Sequence, residues 1–220
     1  MYTKFSCLLH YNQRSKEYLK IFKKNKIYFK NIFIYSSNCK KINYPYVDKV
    51  FYFKKDLLDL NILKKILKQK CINLIYSGAY GQIVKESFIK KVKLFHAHPG
   101  KLPQIKGSCA IHYSLIKHSN VHCTVIKLSK SIDDGKIFLI KKFRKPNFNY
   151  ITYNSFDNKI RALTLNDFIK TKYKKVNIAN NKNSLKYYIP HPIIRAFNYN
   201  NLKKQIFLSI NKIQITKKKV

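Results

Sequence analysis

The chain has 220 residues, 45% of them apolar, and carries 46 Lys and Arg against 9 Asp and Glu, for a formal net charge of +37. The length suits one ordinary domain with at most a small appendage, and the apolar share is too high for a disordered chain. No apolar run reaches the roughly 18–20 residues of a spanning helix, and the start, Met1-Tyr2-Thr3-Lys4, has no signal-peptide stretch, so the expectation is a cytoplasmic protein with no membrane partner.

Residues 4–9 read as a short apolar strand, and residues 13–24 as a helix with Tyr18, Leu19 and Phe22 on one face. Aromatic and β-branched residues predict a second strand over 27–35. A loop with Pro45 follows, then a short strand over 50–53. Residues 56–69 are the clearest helix. Asp56 suits its N-terminal end, and lysines gather toward its C-terminal end, where the helix dipole favours them. Residues 72–76 predict a buried strand that ends in Ser77-Gly78-Ala79-Tyr80-Gly81. A short helix and a strand beginning at Val92 come next, then a helix over 108–117 and strands over 121–128 and 136–143. Pro146 marks a boundary, which divides a domain over 1–150 from an extension over 151–220. The extension holds a helix around 155–172, a polar Asn/Lys stretch and a Pro190-His191-Pro192 turn. Strand–helix alternation predicts an α/β fold with a mostly parallel sheet flanked by helices, and ligands of such sheets bind beyond the carboxyl ends of the strands.

The charge has two readings. A polyanion partner is one. The other is compositional drift toward Lys, Asn, Ile, Phe and Tyr, which the even spread of lysines favours; the four arginines, 14, 144, 161 and 195, form no cluster in sequence. The five cysteines are widely spaced with no Cys-x-x-Cys, which argues against a disulfide framework or a structural zinc site and for small buried side chains.

Chemistry concentrates around residues 95–107. The strand from Val92 runs into His96-Ala97-His98-Pro99-Gly100, and residues two apart on a strand share a side, so His96 and His98 face one space. The five glycines, 78, 81, 100, 107 and 135, all lie in the central segment, as expected where the backbone needs positive φ or close approach. Asp133-Asp134-Gly135 adds an adjacent acidic pair in a turn, while seven of the nine acidic residues lie elsewhere. His-x-His with an Asp supplies three metal ligands. The same groups serve metal-free acid–base catalysis on a carbonyl. The residues alone leave both open.

Tyr80-Gly81-Gln82-Ile83, the run from His96 to Gly107 with its Leu102-Pro103, and Ile132-Asp133-Asp134-Gly135 together resemble the 10-formyltetrahydrofolate-dependent formyltransferase family. The family pattern is Asn-x-His-Pro-Ser-x-Leu-Pro-x-x-[Arg/Lys]-Gly followed by Asp-x-Gly. The resemblance covers residues 70–140 by motif and 1–70 by element order. It implies a Rossmann-like catalytic domain and direct formyl transfer to an amine, with 10-formyltetrahydrofolate as donor and no metal. His98 takes the place of the catalytic His and Asp133 that of the catalytic Asp. His96 stands where the family has Asn, the residue that donates to the formyl oxygen, and Gly100 stands where it has Ser. Tyr80, Gly81, Gln82 and Ile83, with the loop of Asp133 and Asp134, take the place of the pteridine site. Lys106 occupies the family's basic position. The remaining histidines, 10, 112, 118, 122 and 191, are read as structural.

The expectation is an N-formyltransferase. The family's methionyl-tRNA members add a linker and a β-barrel, which the helix-like start of residues 151–220 fits poorly, so the expected acceptor is a small amine such as an amino-sugar nucleotide. The alternative is initiator methionyl-tRNA, toward which the charge points. Two alternatives of other classes are a metal-dependent hydrolase on His96, His98 and Asp133, and a non-catalytic polyanion-binding relative.

Overall fold

The computed structural model describes residues 3–107, 110–117, 120–145, 153–171 and 185–187. They form β1 (Ser6–His10), α1 (Gln13–Lys24), β2 (Phe29–Tyr35), β3 (Val47–Phe53), α2 (Leu60–Lys68), β4 (Asn73–Ser77), α3 (Glu86–Lys91), β5 (Lys93–His98), β6 (Ile105–Gly107), α4 (Ala110–Lys117), β7 (Asn120–Lys127), β8 (Lys136–Arg144), α5 (Tyr153–Lys170) and β9 (Leu185–Tyr187). A seven-stranded sheet runs β3-β2-β1-β4-β5-β7-β8. Its first five strands are parallel and β7 and β8 antiparallel, as expected of a mostly parallel Rossmann-like sheet. The order reverses between β1 and β4, which opens a crevice at the carboxyl ends of those strands.

Period-two alternation divides the core into two layers. Cys7, Leu9, Phe95 and Ala97 pack with Tyr18 and Phe22 of α1 and with Ile160, Leu165 and Phe168 of α5. Leu8, Leu74 and Leu94 pack on the opposite side with Ile62, Leu63 and Ile66 of α2 and Phe88 of α3. The edge strand β3 is half-exposed and carries two exposed charged residues, Asp48 and Lys49, which discourages pairing with another chain. Asn12 caps α1 by accepting from the Ser15 N–H at 3.0 Å, and Lys23 and Lys24 occupy its last turn.

Some elements depart from the sequence expectation. The helix expected from residue 56 begins at Leu60, because Asp59 caps it through the Ile62 N–H at 2.9 Å. Asp56 instead accepts from the Ser37 N–H at 2.9 Å. The short parallel pair β6–β9 has no sequence signature at three residues a strand. Helix α5 lies beyond the boundary expected near residue 150, yet it packs into the same core: the Phe168 ring meets those of Phe5, Phe95 and Phe138 at centroid distances of 5.4, 5.2 and 5.9 Å. Pro146, the polar stretch at 175–184, the Pro190-His191-Pro192 turn, His118 and Cys109 lie outside the described residues. Of the described cysteines, Cys7, Cys71 and Cys123 are buried and Cys39 half-buried, all with free thiols.

Phe168→Ala removes the ring that ties α5 to the sheet and is expected to cost about 3–5 kcal/mol. Urea unfolding midpoints measure this. A midpoint matching the parent would show that α5 is not part of the cooperative core.

Candidate active site

A cavity of about 390 Å³ lies over the ends of β1, β4 and β5. His96 and His98 both line it, as the strand alternation requires. Their backbone runs into a turn that Thr124 of β7 secures: its hydroxyl donates to the Gly100 carbonyl at 2.6 Å and accepts from the Leu102 N–H at 3.3 Å. His98 is 3% exposed, and its Nε2–H donates to the Ile105 carbonyl at 2.8 Å. Gly100 makes room for that bond. A Cβ there would stand 2.9 Å from His98 Nε2 and 3.0 Å from the Ile105 oxygen, both too close. The glycine that replaces the family's serine is therefore matched to this histidine's position.

The loop after β7 folds back along β5 and brings Asp133 to His98. Asp133 sits at φ +52°, a left-handed conformation that Asp tolerates better than most residues. Its Oδ2 accepts from the Gly107 N–H at 2.7 Å, and its Oδ1 lies 3.4 Å from His98 Nδ1. Gly107 itself has φ +93°. Gly135 lets the loop turn back on β7, since a Cβ there would fall 1.8 Å from the Lys127 carbonyl oxygen. Burial works against the Asp133 carboxylate. The hydrogen bond and charge of His98 and the Gly107 N–H outweigh it and hold the carboxyl well below the usual range. Asp134 is outside the cavity lining and pairs with Lys106 at 2.6 Å, so the lysine at the family's basic position has a specific partner.

His96 meets groups that sequence reading did not find. Arg161 of α5 reaches across the end of β5 from the opposite face. Its Nη1 donates to the Ala97 carbonyl at 2.5 Å and lies 3.3 Å from His96 Nε2, while its Nε donates to Asp157 Oδ1 at 2.8 Å. Arg14, at the start of α1, lines the same cavity, and the Arg161 charge, then burial, lower its pKa. Two arginines scattered in sequence thus converge. The only hint was the residue type: Arg at four positions in a chain that otherwise uses Lys, at sites where a rigid planar donor matters. Burial, reinforced by Arg161 and Arg14, pushes the His96 pKa well down, so the ring is neutral at physiological pH.

The turn after β4 forms the rest of the wall. Gln82 lines the cavity, and its side-chain oxygen is engaged within the wall. That oxygen collects the Tyr35 hydroxyl at 2.7 Å, the Ala79 N–H at 3.2 Å and the Tyr76 hydroxyl at 3.3 Å, and so fixes the turn from beneath. Gly81 has φ +73°. At the mouth stand three exposed apolar side chains, Tyr80 (73%), Ile83 (74%) and Ile132 (65%), well suited to the faces of a flat aromatic ligand. A second cavity of about 560 Å³ adjoins the first and shares Arg14 and Tyr80 with it.

Among the described residues no three His, Cys, Asp or Glu side chains are grouped to hold a metal ion, and His96 Nε2 is already engaged by a guanidinium, which only donates. What the site holds is a histidine–carboxylate pair, His98 and Asp133, beside a neutral histidine and an apolar-mouthed cavity.

Two outcomes follow for stability. Gly100→Ser is expected to force His98 off the Ile105 carbonyl at about 1–3 kcal/mol; equal urea midpoints for variant and parent would contradict this. Asp133 has a folded-state pKa below its unfolded value of about 3.9, so the stability it supplies is present above about pH 4 and drains away as pH falls below that. Unfolding midpoints followed from pH 6 to pH 2 should therefore fall less steeply for Asp133→Asn than for the parent. Parallel profiles would mean that the carboxylate is not held by His98 and Gly107.

No family model matches the chain. The chain is 29% identical over 86 residues to the methionyl-tRNA formyltransferase of Thermosipho africanus, a match spanning 39% of this chain and 28% of the relative. It thus spans under a third of the curated relative's length. The fold resembles methionyl-tRNA formyltransferase from Clostridium thermocellum, with a TM-score of 0.60 at 14% identity over 90% of this chain and 81% of that one. It also resembles a sugar N-formyltransferase from Shewanella sp. FDAARGOS_354, with a TM-score of 0.56 at 16% identity over 86% and 77%. The partial sequence match and the common fold agree with the motif around His98 and Asp133, so this chain is similar to formyltransferases in a part of its sequence and in its fold.

Proposed function

We propose that this chain transfers a formyl group from 10-formyltetrahydrofolate to an acceptor amine, with an amino-sugar nucleotide as the acceptor. The observation that carries this reading is the pairing of His98 Nδ1 with Asp133 Oδ1 at 3.4 Å inside a cavity whose mouth is apolar. Tyr80, Ile83, Ile132 and the turn at 78–82 would hold the donor's pterin, with Asp133 and Asp134 contributing the backbone of the opposing loop. The acceptor nitrogen attacks the formyl carbon, the bond from that carbon to N10 of the donor breaks, and the proton lost by the acceptor nitrogen is returned to N10 of the departing tetrahydrofolate. His98, oriented and charge-balanced by Asp133, handles that proton. His96 donates to the formyl oxygen as it gains negative charge. The adjoining cavity, reached past Arg14 and Tyr80, gives the acceptor a separate approach.

A second reading names methionyl-tRNA as the acceptor. It is favoured by the +37 charge and by the methionyl-tRNA formyltransferase of Thermosipho africanus as a relative.

The test is tetrahydrofolate release from 10-formyltetrahydrofolate, followed by absorbance, with water, amino-sugar nucleotides or methionyl-tRNA as acceptor. Acceptor-dependent release is expected, with His98→Ala slower by about 10²- to 10⁴-fold. Release with methionyl-tRNA alone would replace the sugar reading. No release with any acceptor, together with no folate binding, would overturn the enzyme reading.

A further inference from the structure

An asparagine that serves as an oxyanion donor needs no help to present an N–H, because its amide always carries two. A neutral histidine carries one ring proton, on either nitrogen, and only one of the two tautomers places it usefully. The exchange of Asn for His at position 96 therefore creates a requirement that the family's usual residue does not have. Something must choose the tautomer.

The surroundings of His96 make that choice. The guanidinium of Arg161 has no acceptor, so its 3.3 Å contact with Nε2 is a hydrogen bond only if Nε2 is unprotonated. The ring proton then resides on Nδ1. That atom is buried and has no hydrogen-bond partner among the described residues. It is attached directly to Cγ, as is the amide nitrogen of an asparagine, whereas Nε2 lies one atom further out. Arg161 is itself fixed by Asp157 and by the Ala97 carbonyl, on the strand that carries His96. The other charged or titratable groups around the ring are Arg14 on α1, Asp133 on the loop after β7, His98 on β5 and Tyr76 on β4. Burial and then the nearby cations oppose a second ring proton, which preserves the Nε2 lone pair that Arg161 uses.

We infer that Arg161, braced by Asp157, is a positioning residue that holds His96 as the Nδ1–H tautomer and so lets a histidine supply the hydrogen bond that an asparagine supplies elsewhere in the family. Its role in transfer rests on the formyltransferase reading above. The tautomer itself does not.

Long-range ¹H–¹⁵N spectra of ¹⁵N-labelled protein report the tautomer of each histidine, and loss of one set of signals in His96→Asn assigns that ring. The expected result at pH 7 is the Nδ1–H pattern for His96. An Nε2–H pattern, or a doubly protonated ring, overturns the proposal even if the protein is an active enzyme. The kinetic arm compares Arg161→Met in two backgrounds. With His96 present the substitution should lower kcat/KM by about 10- to 100-fold, the usual cost of losing a group that orients a functional side chain. With His96→Asn present the same substitution should cost clearly less, because an amide needs no tautomer selection. Equal losses in both backgrounds would make Arg161 merely structural and reject the proposal. An Nδ1–H pattern in a protein that transfers no formyl group would count against the enzyme reading alone.

Discussion

The carboxylate of Asp133 accepts from the Gly107 N–H with one oxygen and meets His98 with the other, and so joins two loops that the sheet alone would leave apart. Much of the local sequence follows from that junction. Asp133 must adopt a left-handed backbone, Gly107 must do the same, and Gly135 must let the returning chain pass against the Lys127 carbonyl. Gly100 clears the space in which His98 donates to Ile105. In a chain with five glycines, three are committed to the contacts around one histidine and one carboxylate. Strain of this kind persists only where the surrounding structure over-determines it, and such places are commonly functional.

A second constraint is the management of buried positive charge. Arg161 lies inside the protein, where an unpaired cation is costly, and Asp157 one helical turn earlier compensates it. Arg14 feels the same Asp157 charge and lies near Arg161 at the cavity wall. Burial, reinforced by the two arginines, keeps His96 neutral while Asp133 keeps its charge. Two histidines two residues apart on one strand thus work in opposite electrostatic settings, one facing cations and the other a carboxylate. Neighbouring groups of the same type acquire distinct roles in this way.

The parallel strands were legible because burial on both faces forces near-continuous apolar runs such as Phe29–Tyr35, and the shared side of His96 and His98 follows from strand geometry alone. Gly107 and Gly135 were legible as places of unusual backbone. Other features were hidden for physical reasons. Asp56 and Asp59 are equally good caps on paper, and only the tertiary contact of Asp56 with Ser37 decides between them. Three-residue strands carry too little pattern to read. Arg161 stands 65 residues from His96 on the opposite face of the sheet, and no local periodicity encodes that meeting. Gln82 lines the cavity, and its oxygen also holds two tyrosines and its own turn, a role hidden in the sequence because it depends on Tyr35 of a distant strand.

Helix α5 comes after every strand of the large sheet in chain order, and it carries the arginine that reaches His96. The β5 histidines and their loops can therefore be assembled before the last structural support of the site exists. As the chain emerges from the ribosome, the sheet precedes α5 by sequence necessity, and N-terminal parts fold first. Completion of the site is thus tied to completion of the core, because the same helix that fills the hydrophobic layer with Phe168 also carries Arg161 to the strand end.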